Sequence, residues 1–491
     1  MDNASQVVDL LDEVHHLRFT AERDVLNAWK TYNVSERTRQ LLSEAGRVIY
    51  AEAISFDGSE GSKTHFPKSL ATLAVECLAQ AFQGGSVPDA LTCQQQRDFG
   101  GMLDVDLPIL QLLEVDNELF WKRVARTKIR RFGDFLELER DKHFHWKPIG
   151  IELKVAEAIS GEDPTYWFEG CLEDILIKSA PFVKKLIVAH LQHSKTVELA
   201  EGYEGYKLYN VPSELSHHGS LKVLRHLQNL TSLSLTFGPE DRCKQYQRRF
   251  FQCSLEDMEN LAEALGKLQF LEHFKISKSR LSPEKLKVLL NQLALKQLKV
   301  LEFPYCNLSD DTGIHLGKYI SKCPPCLHTV NLSGNFLSGK EIENFGYGIY
   351  VYEGILDRLD ISYNPVGEAG ILTLGGAVKK SKHLRELNVS VCDIGEQGAL
   401  RVAQLLGFHR PLEVLLMDCV PLGKTGGKKL IQVLKENWFV QEVHCKSCGL
   451  KESQEERVKK ILRRNNKFIR SQRISSTCGA SEPTNAESEP Q

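Results

Sequence analysis

The chain has 491 residues, 42% of them hydrophobic and 26% charged, with a formal net charge of −2. That length accommodates two to four domains or one long repeat array, and the near-neutral balance supplies no long-range attraction to nucleic acid or anionic lipid. No run approaches the ~20 consecutive apolar residues of a membrane-spanning helix, the start lacks the basic and apolar stretches of a secretory signal, and the thirteen scattered cysteines read as reduced cytosolic thiols.

Residues 1–229 read as a mainly α-helical region. SERTRQLLSEAGRVIYAEAI and PKSLATLAVECLAQAFQ carry helical apolar spacing, QGGSVPDALTCQQQRDFGG reads as a loop, and DLPILQLLEVDNELFWKRVARTKI is helical again. Asp106-Leu107-Pro108, Leu110, Leu112, Leu113 and Leu119-Phe120-Trp121 are faintly like an F-box helix set. The plainer reading is a helical domain that caps the start of the C-terminal half. His143-Phe144-His145-Trp146 and His217-His218 are the densest histidine groups, and surface or core histidines account for them without a metal.

From Leu230 the organisation changes. LTSLSLTFG starts there, and a polar insertion of about a dozen residues comes next, around Pro239 to Cys253. Then L-x-x-L-x-L-x-x-N/C-x-L recurs with substitutions, starting at Leu271, Leu298, Leu327, Leu356, Leu384, Leu412 and Val440, at steps of 27, 29, 29, 28, 28 and 28 residues. In this pattern the L-x-x-L-x-L residues point inward from a short strand, and each unit buries its apolar face only by stacking on its neighbours. The N/C position, held by Ser279, Cys306, Asn335, Asn364, Cys392, Val420 and Cys448, bonds backbone groups of the adjoining turn; Val420 has no polar atom, so the ladder is expected to be weakest there. Phe303, Met417 and Cys445 stand at core Leu/Ile positions. GEAGILTLGGAVKKSKH, GEQGALRVAQLLGFHRP and GKTGGKKLIQVLKENWF show helical spacing. A full helix per ~28-residue unit predicts an α/β fold, a leucine-rich-repeat horseshoe of the ribonuclease-inhibitor type spanning 230–468, preceded by the α-helical N-terminal domain. The charged helix ESQEERVKKILRRNN suits a terminal cap, and residues 469–491, poor in apolar side chains, are expected to be a disordered tail.

Local motifs point to packing rather than chemistry. Cys323-Pro-Pro-Cys326 and Cys445-Lys-Ser-Cys448 lie four repeats apart, ~20 Å or more at ~4.8 Å per strand, too far for a shared zinc at ~2.3 Å from each sulfur. Gly423-Lys-Thr-Gly-Gly-Lys-Lys429 lacks phosphate-loop spacing and falls in register with GEAG and GEQG, as a strand-to-helix turn. No catalytic signature stands out, so the chain reads as a non-enzyme with no cofactor and no metal. The candidate site is the solvent side of the strands: Lys275, Glu302, Asn331, Arg358, Asp360, Glu386, Asn388, Leu416, Asp418, Glu442 and His444. Alternating charges there read either as a solvated face or as a protein-binding surface whose paired charges set register. A basic run, Arg457, Lys459, Lys460, Arg463, Arg464, Lys467, Arg470 and Arg473, reads mainly as a solvated cap, with an acidic tubulin surface as the other option.

The helical half with DLPILQLLEVDNELFWKRVA and HFHWKPIGIELKVAEAI, followed by LQNLTSLSLTFGPED, the insertion and the repeats, resembles the t-complex-associated testis-expressed protein family over about residues 65–465. That resemblance implies a leucine-rich-repeat subunit of the nexin–dynein regulatory complex in motile cilia and flagella. It further implies contacts with other subunits of that complex, inner-arm dynein or tubulin, and placement on the axoneme within the cytoplasmic cytoskeleton. Two rival classes share elements of the sequence. One is a leucine-rich-repeat GTPase-activating protein, which has no helical half of this kind; the other is a ubiquitin-ligase adaptor resting on the F-box-like helices.

Overall fold

The structure is a computed structural model that describes residues 69–129, 145–160, 171–191, 220–238, 251–309, 311–380, 383–408 and 411–478. The chain divides into units Met1–Leu70 and Ala71–Gln491, and nearly all described residues belong to the second. That unit opens with helices α1 (Leu70–Gln80), α2 (Cys93–Met102), α3 (Ile109–Leu112), α4 (Glu118–Lys128), α5 (Trp146–Ser160) and α6 (Cys171–Ser179). Strand β1 (Lys185–Leu191) comes next, then a 3₁₀ turn (Leu221–His226) and β2 (Ser232–Phe237). Helix and strand then alternate: α7 (Leu255–Lys267), β3 (His273–Ile276), α8 (Pro283–Leu293), β4 (Val300–Glu302), α9 (Thr312–Lys322), β5 (Thr329–Asn331) and α10 (Gly339–Val351). The series ends with β6 (Arg358–Asp360), α11 (Gly367–Lys380), β7 (Glu386–Asn388), α12 (Gly395–Phe408), β8 (Val414–Leu416), α13 (Gly423–Glu436), β9 (Glu442–His444) and α14 (Glu452–Cys478).

The nine strands among the described residues form one parallel sheet in chain order, the arrangement expected of a ribonuclease-inhibitor-type leucine-rich-repeat horseshoe with helices on its N-terminal side. The register explains the sequence pattern. Leu233, Phe274, Leu301, Val330, Leu359, Leu387, Leu415 and Val443 pair in single file, and all are buried. The second inward file, Leu235, Ile276, Phe303, Leu332, Ile361, Val389 and Met417, is equally buried. Phe303 is accommodated by an edge-to-face contact with Phe274 at 6.1 Å, whereas Cys445 is only half-buried. Glycine sets the closest helix approach: a Cβ on Gly317 of α9 would lie 2.3 Å from the Asn344 carbonyl oxygen of α10, so the two backbones touch directly.

The N/C files behave as the spacing predicts. Asn335 Oδ1 accepts from the Cys306 and Leu308 amides at 2.9 and 3.1 Å, and its Nδ2 donates to the Phe303 and Leu332 carbonyls, both at 2.8 Å. Asn364 repeats this toward Leu337, Leu332 and Ile361. The Cys306, Cys392 and Cys448 thiols donate to the Ile276, Ile361 and Met417 carbonyls at 3.1, 3.2 and 3.0 Å. Burial pushes Cys392 up to about 12 and Cys448 up to about 11, so both keep the proton they donate. Val420 fills the same buried place with hydrocarbon.

Three expectations are corrected. The sheet starts before Leu230: β1 pairs with β2 from Lys185↔Ser232 to Val188↔Leu235, so a strand of the same sheet lies inside the region read as mainly α-helical up to residue 229. Val183, Leu186 and Val188 supply the L-x-x-L-x-L triplet and are buried, but this unit precedes the regular step. The stretch read as a loop, QGGSVPDALTCQQQRDFGG, is helical in its second half. Thr92 and Gln95 form a reciprocal capping box that starts α2, and such a box outweighs weak interior propensity. The region after residue 468 is not all tail, because α14 continues to Cys478. Elongating an existing helix adds a hydrogen bond per residue without a new nucleus, and nothing from Lys467 to Cys478 breaks it. Residues 1–68, His143-Phe144, His217-His218, most of the polar insertion and 479–491 lie outside the described residues.

Candidate protein-binding surface

Strands of x-Leu-x form turn one side chain inward and two outward, and stacking makes rows of the outward ones. One row runs Lys275, Glu302, Asn331, Asp360, Asn388, Leu416, His444 in direct register. A second includes His273, Arg358, Glu386 and Glu442. Asp418 lies two residues beyond Leu416, in the turn after β8. The sequence-predicted residues therefore share one face of the sheet.

Much of their polarity is spent within the sheet. Lys275 pairs with Glu302 at 2.6 Å, and Arg358 approaches Glu386 at 3.5 Å. His444 bonds Glu442. Asp360 Oδ1 accepts from the Ser362 amide and hydroxyl at 2.9 and 2.6 Å, while its Oδ2 accepts from Asn388 at 3.1 Å. Asn331 accepts twice from Ser333, and Asp418 accepts from the Lys446 amide. Burial holds the His273 imidazole below its usual value although Glu302 lies 3.7 Å away, so it stays neutral near pH 7. A surface so internally paired sets the register of a partner more than it supplies affinity.

A row of exposed apolar side chains borders it, which the sequence reading missed. The residue before each N/C position is Lys278, Tyr305, Gly334, Tyr363, Val391, Cys419 or Ser447, and every one has φ between 53° and 67°. The turn off each strand demands the left-handed conformation, which disfavours aromatic and β-branched residues. Tyr305 and Tyr363 nevertheless stand there 52% and 54% exposed, and Phe336, two residues after Gly334, is 55% exposed. The Tyr305 ring lies across Gly334, where a Cβ would come within 2.3 Å of it. Exposed rings, two of them (Tyr305 and Tyr363) held in an unfavourable backbone conformation, are candidates for function rather than packing. Covering half of each ring would remove on the order of 300 Å² of surface, about 7 kcal/mol before the costs of association. The clue was present in the residue preceding each ladder position.

The other motifs resolve as structure. Gly367, Gly395 and Gly423 open α11, α12 and α13 at φ of 67°, 63° and 59°, so the lysine-glycine segment is a helix start. Burial pushes Cys323 up to about 12 and Cys326 upward, which leaves little thiolate for redox chemistry. Among the described residues, no group of three or more His, Cys, Asp or Glu is placed to hold a metal, and no helix is long and apolar enough to cross a membrane. The F-box-like segment is divided: Leu112, Phe120 and Trp121 are buried while Leu110 and Leu119 are exposed, and Trp121 Nε1 donates to the Val115 carbonyl at 2.9 Å.

A family model described as "Leucine Rich repeat" matches residues 380–403, the unit containing β7. No curated protein matches the chain. Similar solved structures include leiomodin-1 actin-binding site 2, at 15% identity and a TM-score of 0.32, covering 35% of this chain and all of that one. The tropomodulin C-terminal domain of Caenorhabditis elegans is 15% identical at a TM-score of 0.23, over 45% of this chain and 99% of that one. A TLR13–ssRNA13 complex is 18% identical at 0.30, over 46% of this chain and 31% of that chain. Pattern, register and family model agree that the chain contains leucine-rich repeats.

Proposed function

We propose that this chain is a non-catalytic scaffold subunit of the nexin–dynein regulatory complex of motile cilia and flagella. It docks neighbouring subunits, with inner-arm dynein or tubulin as further partners, on the open face of its sheet. The observation that carries the docking role is the aromatic row Tyr305, Phe336 and Tyr363 beside a polar face in strict register. Rings supply affinity and the paired charges fix position, the division of labour found in protein interfaces. The axonemal setting rests on the sequence likeness from the helical half through LSLTFGPED into the repeats.

The test uses the full chain, tagged, in ciliated cells. Detergent-extracted axonemes should retain it, and a wholly soluble or nuclear chain overturns the axonemal setting. The double variant Tyr305→Ser/Tyr363→Ser should fall off the axoneme by about tenfold or more, with an unchanged thermal midpoint. Undiminished retention would place the docking surface elsewhere.

A further inference from the structure

Apart from the sheet face, a cleft in the described part of the molecule has a pronounced chemical bias. A cleft of about 360 Å³ between α13 and α14 is walled by Lys424, Lys428, Lys435, Lys451 and Arg457, with Ile431 and Gln454 among its buried residues. No carboxylate lines it, and none of the five cations is ion-paired among the described residues. Elsewhere the repeats neutralise cations across neighbouring strands, as in Lys275–Glu302, Lys299–Glu272 and Arg385–Asp357. A cap that served solubility alone would tolerate the same mixing of signs; gathering like charges raises their mutual repulsion unless an anion joins them.

The walls are fixed. Gln454 Nε2 donates to the Lys424 carbonyl at 3.0 Å, and its Oε1 accepts from the Lys451 amide at 3.1 Å. Gly427 makes room for it, since a Cβ there would lie 2.8 Å from the Gln454 amide nitrogen. The bonds tie the first turn of α13 to the residue before α14, so two positive helix ends stand side by side at one end of the cleft. Along α13 the lysines at 424, 428 and 435 span eleven residues, about 16 Å at 1.5 Å each. An extended peptide covers that length in about five residues.

We infer that this cleft binds an extended, carboxylate-rich peptide segment of a partner protein. The lysines of α13 are spread along the helix and four of the five cations are lysines, which suits successive point charges rather than one phosphate held by a converging fork. The lining has no aromatic ring on which a base could stack, so a peptide fits better than a single-stranded nucleic acid. The inference rests on the α13–α14 geometry alone and stands or falls separately from the axonemal reading.

The experiment is a fluorescence-anisotropy titration of the full chain with a labelled twelve-residue peptide of alternating Glu and Ser. The expected result is saturable binding at low ionic strength that weakens about tenfold or more toward ~0.2 M salt, and that is lost when Gln replaces Glu in the peptide. Lys428→Glu/Lys435→Glu, at two exposed positions, should weaken it about tenfold or more, while Arg385→Glu, just before β7 and away from the cleft, leaves it unchanged. No saturable binding, equal binding of the Gln peptide, equal binding by the double variant, or tighter binding of a twelve-residue oligothymidylate would each overturn the assignment.

Discussion

The two ends of the sheet are closed by opposite chemistry. Along the ladder, each strand's entry presents two amides to one carbonyl of the strand before. Thr231 and Ser232 donate to Lys184, Lys299 and Val300 to Glu272, and Gln441 and Glu442 to Glu413. Among the described residues the first strand has no predecessor. There Glu152 of α5 reaches in, and its Oε1 accepts from the Lys184 and Lys185 amides at 2.9 and 2.7 Å. At the far end no strand among the described residues pairs beyond β9, and Asn466 of α14 donates its Nδ2 to the Gln441 carbonyl at 3.0 Å. The adjoining Asn465 donates to the Asn437 and Val440 carbonyls at 2.9 Å each. An acceptor side chain replaces the missing carbonyl at one end, and donor side chains replace the missing amides at the other. A parallel ladder is polar along its stacking direction, so its caps cannot be alike, and each must supply what the absent repeat would have supplied.

Removing the acceptor cap should have the larger effect. Glu152→Leu strands two half-covered amides at once, and the expected loss is about 3 kcal/mol. In a repeat array the damage is local, so hydrogen exchange should show Lys184, Lys185 and β1 losing protection while β5 to β7 keep theirs. Unchanged protection at Lys184 and Lys185 would break the comparison. Asn466→Leu removes one donor from a half-buried carbonyl, and about 1.5 kcal/mol is expected, confined to β9 and α14 by the same measurement. Val420→Asn sharpens the contrast between end and interior. It supplies the amide that Asn335 and Asn364 already provide, and should raise the denaturation midpoint by about 1 kcal/mol equivalent. A loss there would mean that the valine pocket is shaped too closely for the amide.

The repeats were legible because their burial is periodic. A step of about 28 residues places Leu301, Val330, Leu359 and Leu387 in one file, where stacking buries them all. The ends were less legible for the same reason. Val183, Leu186 and Val188 obey the pattern once, 47 residues before the matching triplet of β2 by the Lys185↔Ser232 pairing, and one match has no period. Glu152 and Asn466 act through contacts between distant segments, and a polar residue in a helix carries no mark of its eventual partner. Of the candidate face, the strand residues could be read from alternation alone. The aromatic row needed a second signal, the residue preceding each ladder position, because Tyr305 and Tyr363 occupy a turn position defined by backbone conformation rather than by hydrophobicity.

The smallest expected effect separates the charge of the acceptor cap from its hydrogen bonds. Burial holds the Glu152 carboxyl above the usual glutamate value, only partly countered by the two amides and the neighbouring lysine charges. The folded state therefore keeps this proton more tightly than the unfolded chain does. The resulting stabilisation is complete below the unfolded value and is lost as pH rises through the folded one. In Glu152→Gln the side-chain carbonyl still accepts from both amides but carries no proton to lose. Stability of the variant relative to the natural chain should therefore increase from pH 4 to pH 7, with the other titrating groups cancelling in the difference. Paired urea titrations at the two pH values read it directly. A difference that is flat, or that falls with pH, would show that the ionised carboxylate is favoured at this end, and that the first strand needs the negative charge as well as the acceptor.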